Sequence, residues 1–156
     1  MAQSRVAATS RTYPARPIPG VAGIIIHEDR ILLSVRGKPP SEGKWGLPGG
    51  AVEVGETVEE ALVREVAEET SVTVKPLKLV AVLDNVNRDE EDRVMYHYVL
   101  FEYLCGYVAG DVHPGSDAPD ARWVPLGDLD SVDMMPTTRR FIEKILEREK
   151  GILPHG

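Results

Sequence analysis

Cysteine and long apolar runs are both scarce in this sequence of 156 residues. Cys105 is the single cysteine, so no disulfide can form within the chain. No apolar run approaches the roughly 18 residues of a membrane helix, and residues 1–20 lack the apolar centre of a secretory signal. These absences predict a protein without a membrane partner in a reducing compartment, the cytoplasm, where Cys105 packs as a small apolar side chain.

Positively charged residues are also scarce. The chain has 18 Lys and Arg residues against 25 Asp and Glu residues, which gives a formal net charge of −7. Proteins whose main partner is nucleic acid usually carry a basic patch, so no nucleic-acid partner is predicted. A small anionic substrate remains compatible with this charge, because bound divalent cations can invert the local field.

The acidic residues concentrate in residues 50–72, a segment that predicts a loop followed by a helix. Thr57 followed by Glu60 is typical of a capping box at a helix start. Residues 58–69 contain neither Gly nor Pro and are rich in good helix formers. At about 100° per residue, such a helix has an apolar face made of Val58, Ala61, Leu62 and Val66.

Three carboxylates, those of Glu65, Glu68 and Glu69, adjoin this apolar face. Their spacing of one helical turn lets their oxygens converge, and ionised acids beside a buried face need cations. Carboxylates without Cys or His suit a hard ion, Mg²⁺ or Mn²⁺. The other interpretation is a solvated acidic face, which suits the neighbouring Glu59 and Glu60.

A glycine-containing loop precedes the helix. Residues 47–50 read Leu-Pro-Gly-Gly, and Gly55 follows shortly. Because glycine has no Cβ, such a loop lets the backbone approach a phosphate or a metal ion closely. Its position just before the three carboxylates predicts that it forms the second half of a metal site.

The whole segment resembles the Nudix box: a glycine, five residues, a glutamate, seven residues, REU, one residue, EE, one residue and GU, where U is a bulky aliphatic residue. The matching residues are Gly50, Glu56, Arg64, Glu65, Val66, Glu68, Glu69 and Val72. Ser71 stands where the pattern has glycine. A serine in the left-handed conformation that glycine favours there would cost on the order of 1 kcal/mol.

The resemblance implies a reaction and a role for each matching residue. Members of this family hydrolyse a nucleoside diphosphate linked to another moiety, with water attacking one phosphorus. Glu56 is then an outer ligand or orients Arg64, and Arg64 holds a catalytic glutamate in place. The general base is Glu65 or an acid in a later loop. The implied metal ligands are Glu65, Glu68, Glu69 and the backbone carbonyl of Gly49 or Gly50.

Around this segment, apolar β-branched runs alternate with loops, and the length suits one domain. Strands on both sides of a central helix predict an α+β fold, and the resemblance implies the Nudix-type α/β/α sandwich with a mixed β-sheet. We expect a flexible N-terminal arm over residues 1–19, a hydrolase domain over 20–150 and a C-terminal tail over 151–156. The runs predict strands over 21–27, 30–35, 72–83, 94–107 and 122–125, a charged loop over 84–93, a turn or short helix over 126–132 and a helix over 136–149.

Residues 97–100, 102–105 and 120–125, HYVL, EYLC and DARWVP, resemble the small ADP-ribose pyrophosphatases of the family. This resemblance implies cleavage of ADP-ribose or a related nucleoside diphosphate sugar, and analogy with the family predicts a homodimer. Two alternatives stay open. One is a housecleaning hydrolase of oxidised or non-standard nucleoside triphosphates, and the other is a sensor that binds nucleotide sugars without cleaving them.

Several residues outside the box are candidates for contact with the substrate. Arg36 can offer phosphate a bidentate contact. Aromatic side chains can stack on a base or ribose, and the candidates are Trp45, Tyr96 and Tyr98. The acids of later loops that could serve as a metal ligand or base are Asp117 and Asp120, with Glu90 and Glu91 as rivals.

Overall fold

The computed structural model describes residues 10–151 and 153, and its elements follow the predicted order. β1 (Ile18–His27) and β2 (Arg30–Val35) form the expected hairpin. The remaining elements are β3 (Trp45–Gly46), β4 (Gly49–Ala51), α1 (Val58–Thr70), β5 (Thr73–Arg88), β6 (Val94–Ala109), β7 (Ala121–Pro125), a 3-10 helix (Leu126–Ser131) and α2 (Pro136–Arg148).

The strands form one seven-stranded sheet in the order β3-β2-β1-β6-β5, with β4 paired to β1 and β7 paired to β2. β1 and β6 run parallel, whereas the other pairs are antiparallel. Because side chains alternate between the faces of a strand, Ile24 and Ile26 pack with α2, while Val21 and Ile25 pack with α1. The predicted α+β fold with a mixed sheet is therefore confirmed, and helices cover both faces.

Helix α1 begins as the sequence predicts. The Thr57 side chain accepts a hydrogen bond from the Glu60 amide at 3.1 Å, and the Glu60 side chain accepts one from the Thr57 amide at 3.4 Å. This capping box satisfies backbone donors that a helix start leaves without partners. Ala61, Leu62 and Val66 are fully buried against the sheet. The apolar face thus fixes the rotation of α1 and the direction of its glutamates.

Ser71 ends α1 in the left-handed conformation, with φ 66° and ψ 10°. The residue therefore adopts the backbone conformation for which the family pattern has glycine. Its amide donates to the Ala67 carbonyl at 2.9 Å, and its hydroxyl donates to the His113 carbonyl at 3.0 Å. The second hydrogen bond, which glycine could not make, offsets part of the cost of the left-handed conformation.

The predicted charged loop over residues 84–93 is wrong. β5 continues to Arg88, and only residues 89–93 form the turn into β6. Asn85 pairs with Tyr98 and Asn87 with Tyr96 in the antiparallel register. These polar residues fit a strand because β5 lies at the edge of the sheet, where its side chains reach the solvent or the cleft described below.

The two chain ends are described only in part. Residues 1–9 of the predicted arm and residues 152 and 154–156 of the predicted tail lie outside the described residues. Within the arm, the Tyr13 amide donates to the Met95 carbonyl at 2.8 Å, and its hydroxyl donates to Asp89 Oδ2 at 2.7 Å. The first strand already begins at Ile18. The segment before β1 is therefore attached to the β5–β6 turn.

Cys105 is buried in the core beneath α1, and its burial raises the pKa of the thiol to about 12. A thiol with so high a pKa is a poor nucleophile, which agrees with the predicted packing role. Within residues 10–151 and 153, no helix combines the length and the apolar character needed to cross a membrane.

Candidate active site

A cleft of about 880 Å³ runs from the glutamates of α1 across the sheet face that carries α2. Its volume lies in the usual range for small-molecule sites. One wall is formed by the glycine strand β4 and the carboxylates of Glu65, Glu68 and Glu69. The sheet side is lined by Tyr98 and other residues of β5 and β6. The cleft is thus the place where the predicted metal site meets an extended surface for a ligand.

The close approach of β4 to α1 depends on Gly50. Gly50 lies opposite Val21 in the β1–β4 register, so its backbone position is set by the sheet. A Cβ built at Gly50 would lie 2.5 Å from Glu65 Oε2, well inside van der Waals contact. Only glycine therefore lets the Glu65 carboxylate lie against the backbone of this strand.

Arg64 binds several of the box residues at once. Its Nε and Nη2 donate to the two oxygens of Glu56 at 2.7 and 2.8 Å, in a bidentate pair. Its Nη1 donates to Glu65 at 2.8 Å and to Glu68 at 3.2 Å, and Nη2 also reaches the Ala51 carbonyl at 3.1 Å. Hydrogen bonding to Arg64 lowers the pKa of Glu56 to about 2. Arg64 thereby holds the carboxylates in place and ties α1 to the end of β4.

Burial acts strongly on two of the three predicted metal ligands. Burial raises the pKa of Glu69 to about 7, although the Ser34 hydroxyl at 3.1 Å and the Gly49 amide at 3.3 Å donate to its Oε2. Burial also raises the pKa of Glu65, against the opposing effect of Arg64. The positive charge around these two carboxylates therefore does not compensate for the burial of their ionised forms.

The donor set fits the predicted divalent cation. All its side-chain donors are carboxylate oxygens beside a glycine strand, the chemistry that Mg²⁺ and Mn²⁺ select. Within the described ranges, no three His, Cys, Asp or Glu side chains are gathered tightly enough to hold an ion. The Glu68 side chain, which is 56% exposed, is turned toward Arg64. Both oxygens of Glu56 already accept hydrogen bonds from Arg64. It stays a prediction that the metal is bound by Glu65, Glu68, Glu69, Gly50 and Glu56.

The structure separates the substrate-binding candidates into two groups. Three of the acidic candidates lie outside the cleft. Asp120 accepts hydrogen bonds from the Ala121 amide and from Arg122, and Glu90 and Glu91 lie in the β5–β6 turn. The candidates that line the cleft are Arg36, Trp45, Tyr96, Tyr98 and Asp117. Among the late-loop acids, only Asp117 therefore shares a cleft with the α1 carboxylates.

Several residues that line the cleft were given no site role from the sequence, among them Arg11, Asp84, Asn85 and Glu102. Arg11 lies in the predicted flexible arm and is brought there by the attachment of Tyr13. Asp84 and Asn85 were assigned to a loop. Glu102 lies within the apolar strand β6, where a single acid among Leu and aromatic neighbours was the one available signal.

A mixed sheet between two helices, with helix-borne carboxylates against a glycine strand, is the arrangement that the resemblance to the Nudix box implies. A model of the NUDIX domain matches residues 16–145. The chain belongs to the Nudix hydrolase family.

Individual relatives extend this result. The ADP-ribose pyrophosphatase of Methanocaldococcus jannaschii is 38% identical over 113 residues, which span 72% of this chain but less than two thirds, 64%, of that protein. The putative 8-oxo-dGTP diphosphatase 2 of Mycobacterium tuberculosis is 34% identical over 138 residues, which span 84% of this chain and 89% of that protein. The crystal structure of a MutT NUDIX hydrolase from Burkholderia pseudomallei superposes with a TM-score of 0.68 at 29% identity, covering 83% of this chain and 98% of that chain.

The contact between Gly50 and Glu65 predicts the effect of Gly50→Ala. The added methyl group must displace the Glu65 carboxylate, so we expect Mn²⁺ affinity to fall at least about tenfold. Titration calorimetry measures this affinity. Gly127→Ala is the matched control, because a Cβ at Gly127 meets no atom within 4 Å. An unchanged affinity in Gly50→Ala would show that the position of Glu65 does not matter for the metal.

The raised pKa of Glu69 predicts how stability depends on pH. Without metal, the folded state binds more protons than the unfolded state between the ordinary pKa of 4.5 and about 7. Stability should therefore fall as pH rises through this window, by up to about 3 kcal/mol. Mg²⁺ requires ionised ligands, so it should raise Tm more at pH 8 than at pH 5.

Thermal melts in EDTA and in Mg²⁺ test this prediction, with Glu69→Gln as the comparison. The variant should show a shallower loss of stability with pH in EDTA and a smaller Mg²⁺ effect at pH 8. Equal Mg²⁺ effects at both pH values would argue against carboxylate ligands.

Proposed function

We propose that this Nudix hydrolase is a divalent-metal-dependent pyrophosphohydrolase. Its substrate is ADP-ribose or a related nucleoside diphosphate sugar, its products are a nucleoside monophosphate and a sugar phosphate, and its ion is Mg²⁺ or Mn²⁺. The observation that carries the proposal is the set of α1 carboxylates, held by Arg64, at one end of a nucleotide-sized cleft. We place the activity in the cytoplasm, a reducing compartment that suits a single, buried cysteine.

The side chains supply the parts that hydrolysis of a diphosphate needs. When bound, divalent cations neutralise the diphosphate and lower the pKa of a coordinated water. Glu65 accepts the proton of the attacking water, and the raised pKa of this buried carboxyl suits a general base. The water oxygen bonds to one phosphorus while the bridging P–O bond breaks, and the second phosphate leaves as a monoester. Arg64 keeps Glu65 and Glu68 oriented during this exchange.

Asp117 is the alternative base. It lines the same cleft but belongs to the loop before β7, in which the Gly115 amide donates to the Glu69 carbonyl at 2.9 Å. Glu65 is the stronger candidate because Arg64 and the Gly50 backbone fix its position.

The rest of the cleft supports a nucleotide substrate. Tyr98 and Trp45 offer aromatic surfaces for a base or ribose. Arg36 lies on the same cleft and can bind phosphate, although its Nε donates to the Pro40 carbonyl at 2.6 Å in this structure. The archaeal relative named as an ADP-ribose pyrophosphatase supports the diphosphate sugar. The mycobacterial relative named as an 8-oxo-dGTP diphosphatase supports the triphosphate alternative.

Incubation with ADP-ribose and Mg²⁺ tests the proposal, with products identified by chromatography. We expect AMP and ribose 5-phosphate. Glu68→Gln should lower kcat about 100-fold or more, because it removes a negatively charged ligand. Glu59→Gln is the matched control, since Glu59 is an exposed acid on the same helix outside the cleft.

Other outcomes of this experiment separate the alternatives. Release of pyrophosphate from a nucleoside triphosphate, with ADP-ribose left intact, would favour the housecleaning hydrolase. Binding of nucleotides without any cleavage would favour the sensor. Full turnover by Glu68→Gln in saturating Mg²⁺ would refute the assigned metal site.

We also propose that the protein is a homodimer that pairs through β5. This strand is at the edge of the sheet, and Leu79, Val82 and Val86 are 44%, 52% and 42% exposed. They lie opposite Tyr103, Phe101 and His97 of β6, so the bulges of β5 keep all three on the face that carries α1. An apolar strip on an exposed edge strand is a typical surface for pairing between two copies.

Light scattering coupled to size exclusion tests the dimer. The wild-type mass should be about twice 17.2 kDa, and Val82→Lys should shift it toward the monomer, because a charge would then be buried in the interface. Val54→Lys is the matched control, since Val54 is a fully exposed valine in the loop before α1. A monomeric wild type, or a dimer unaffected by Val82→Lys, would contradict this interface.

A further inference from the structure

Glu102 is a buried acid in the cleft that the proposed reaction does not use. The residue is only 4% exposed, and its Oε2 has no hydrogen-bond partner among the described residues. It lies on β6 between Ala22 of β1 and Ala81 of β5, and it lines the cleft. A buried carboxyl oxygen without a partner destabilises a folded protein.

The fold does not require an acid at this position. Leu100 and Leu104 occupy the same face of β6 two residues before and two residues after Glu102, and Leu104 packs in the core with 1% exposure. The cross-strand neighbours of Glu102 are both alanines, which offer no charge to pair with it. A leucine would therefore satisfy the packing without the cost of an unpaired polar atom.

The electrostatic surroundings of Glu102 differ from those of the α1 carboxylates. Burial is the one cause that raises its pKa to about 7, and no charged residue contributes, whereas Glu65 contributes to the shift of Glu69. Because no cation among the described residues contributes to its pKa, this carboxyl is a poor partner for phosphate, which its ionised form would repel. Its free oxygen therefore suits an uncharged group that donates a hydrogen bond.

The surroundings of Glu102 indicate which group this is. Tyr98 and Leu100 line the cleft along the same strand face, and Asn85 lies opposite Tyr98 on β5. Flat aromatic and apolar surfaces with one buried acceptor at their end complement a nucleobase, which has two apolar faces and polar groups at its edge.

We propose that Glu102 determines specificity for the nucleobase by accepting a hydrogen bond from an exocyclic amino group at the edge of the base. The inference deepens the proposed function, on which it rests for the adenine of ADP-ribose. Glu102 then takes no part in the bond cleavage. Its effect is to favour amino-bearing bases over the corresponding oxo base, because a base without the amino donor leaves the buried oxygen without a partner.

The binding of AMP and IMP without metal tests this inference independently of catalysis. The wild type should bind AMP at least about tenfold more tightly than IMP, because IMP carries an oxygen where AMP carries the amino group. Glu102→Leu should lose this preference and yet melt at a higher temperature than the wild type, because it removes an unpaired buried polar atom. Glu90→Leu makes the same exchange at an exposed acid outside the cleft and should keep the preference.

Glu102→Gln preserves the shape of the side chain and a carbonyl acceptor, so it should retain more of the preference for AMP than Glu102→Leu does. An unchanged ratio of AMP to IMP affinity in Glu102→Leu would overturn the inference. A lower melting temperature of Glu102→Leu with an intact ratio would assign Glu102 to the fold instead. If AMP is preferred through Glu102 but ADP-ribose is not cleaved, the inference stands and the proposed function fails.

Discussion

The guanidinium of Arg64 joins the parts of the site that come from different elements. It binds Glu56 in the loop before α1, Glu65 and Glu68 on α1, and the Ala51 carbonyl at the end of β4. The planar fork of an arginine can serve several acceptors at once, which a lysine ammonium could not do with the same geometry. One side chain therefore orients two of the α1 carboxylates and, together with the Gly49–Glu69 hydrogen bond, attaches the glycine strand to α1.

This arrangement concentrates negative charge where burial disfavours it. Glu69 has a pKa near 7, and Glu65 has a raised pKa even with Arg64 beside it. The divalent cation proposed for this site would offset both pKa shifts, because it stabilises the ionised form of a carboxylate. At the sheet side of the cleft, burial also raises the pKa of Glu102, and no charged group among the described residues offsets this effect, which fits an uncharged ligand group rather than an ion.

Local patterns accounted for much of the fold and for one wall of the site. The capping box at Thr57, the apolar face of α1 and the β1–β2 hairpin depend on residues a few positions apart, and all three occur as predicted. The spacing of the Nudix box also indicated the family, which the match to the NUDIX domain confirms. The predicted loop over 84–93 failed because the pairing of β5 with β6 is decided by a partner strand rather than by local composition.

By itself, the sequence determined the family, the helix that carries the carboxylates and the reaction class, because these follow from fixed spacings along one segment. The tertiary structure decided which residues face the cleft. It brought Asp117 and Arg11 there, left Asp120 outside and buried Glu102 with its Oε2 unpaired among the described residues. The physical reason is that the face of a strand and the position of a loop depend on register and packing between segments far apart in the chain, which no local pattern encodes.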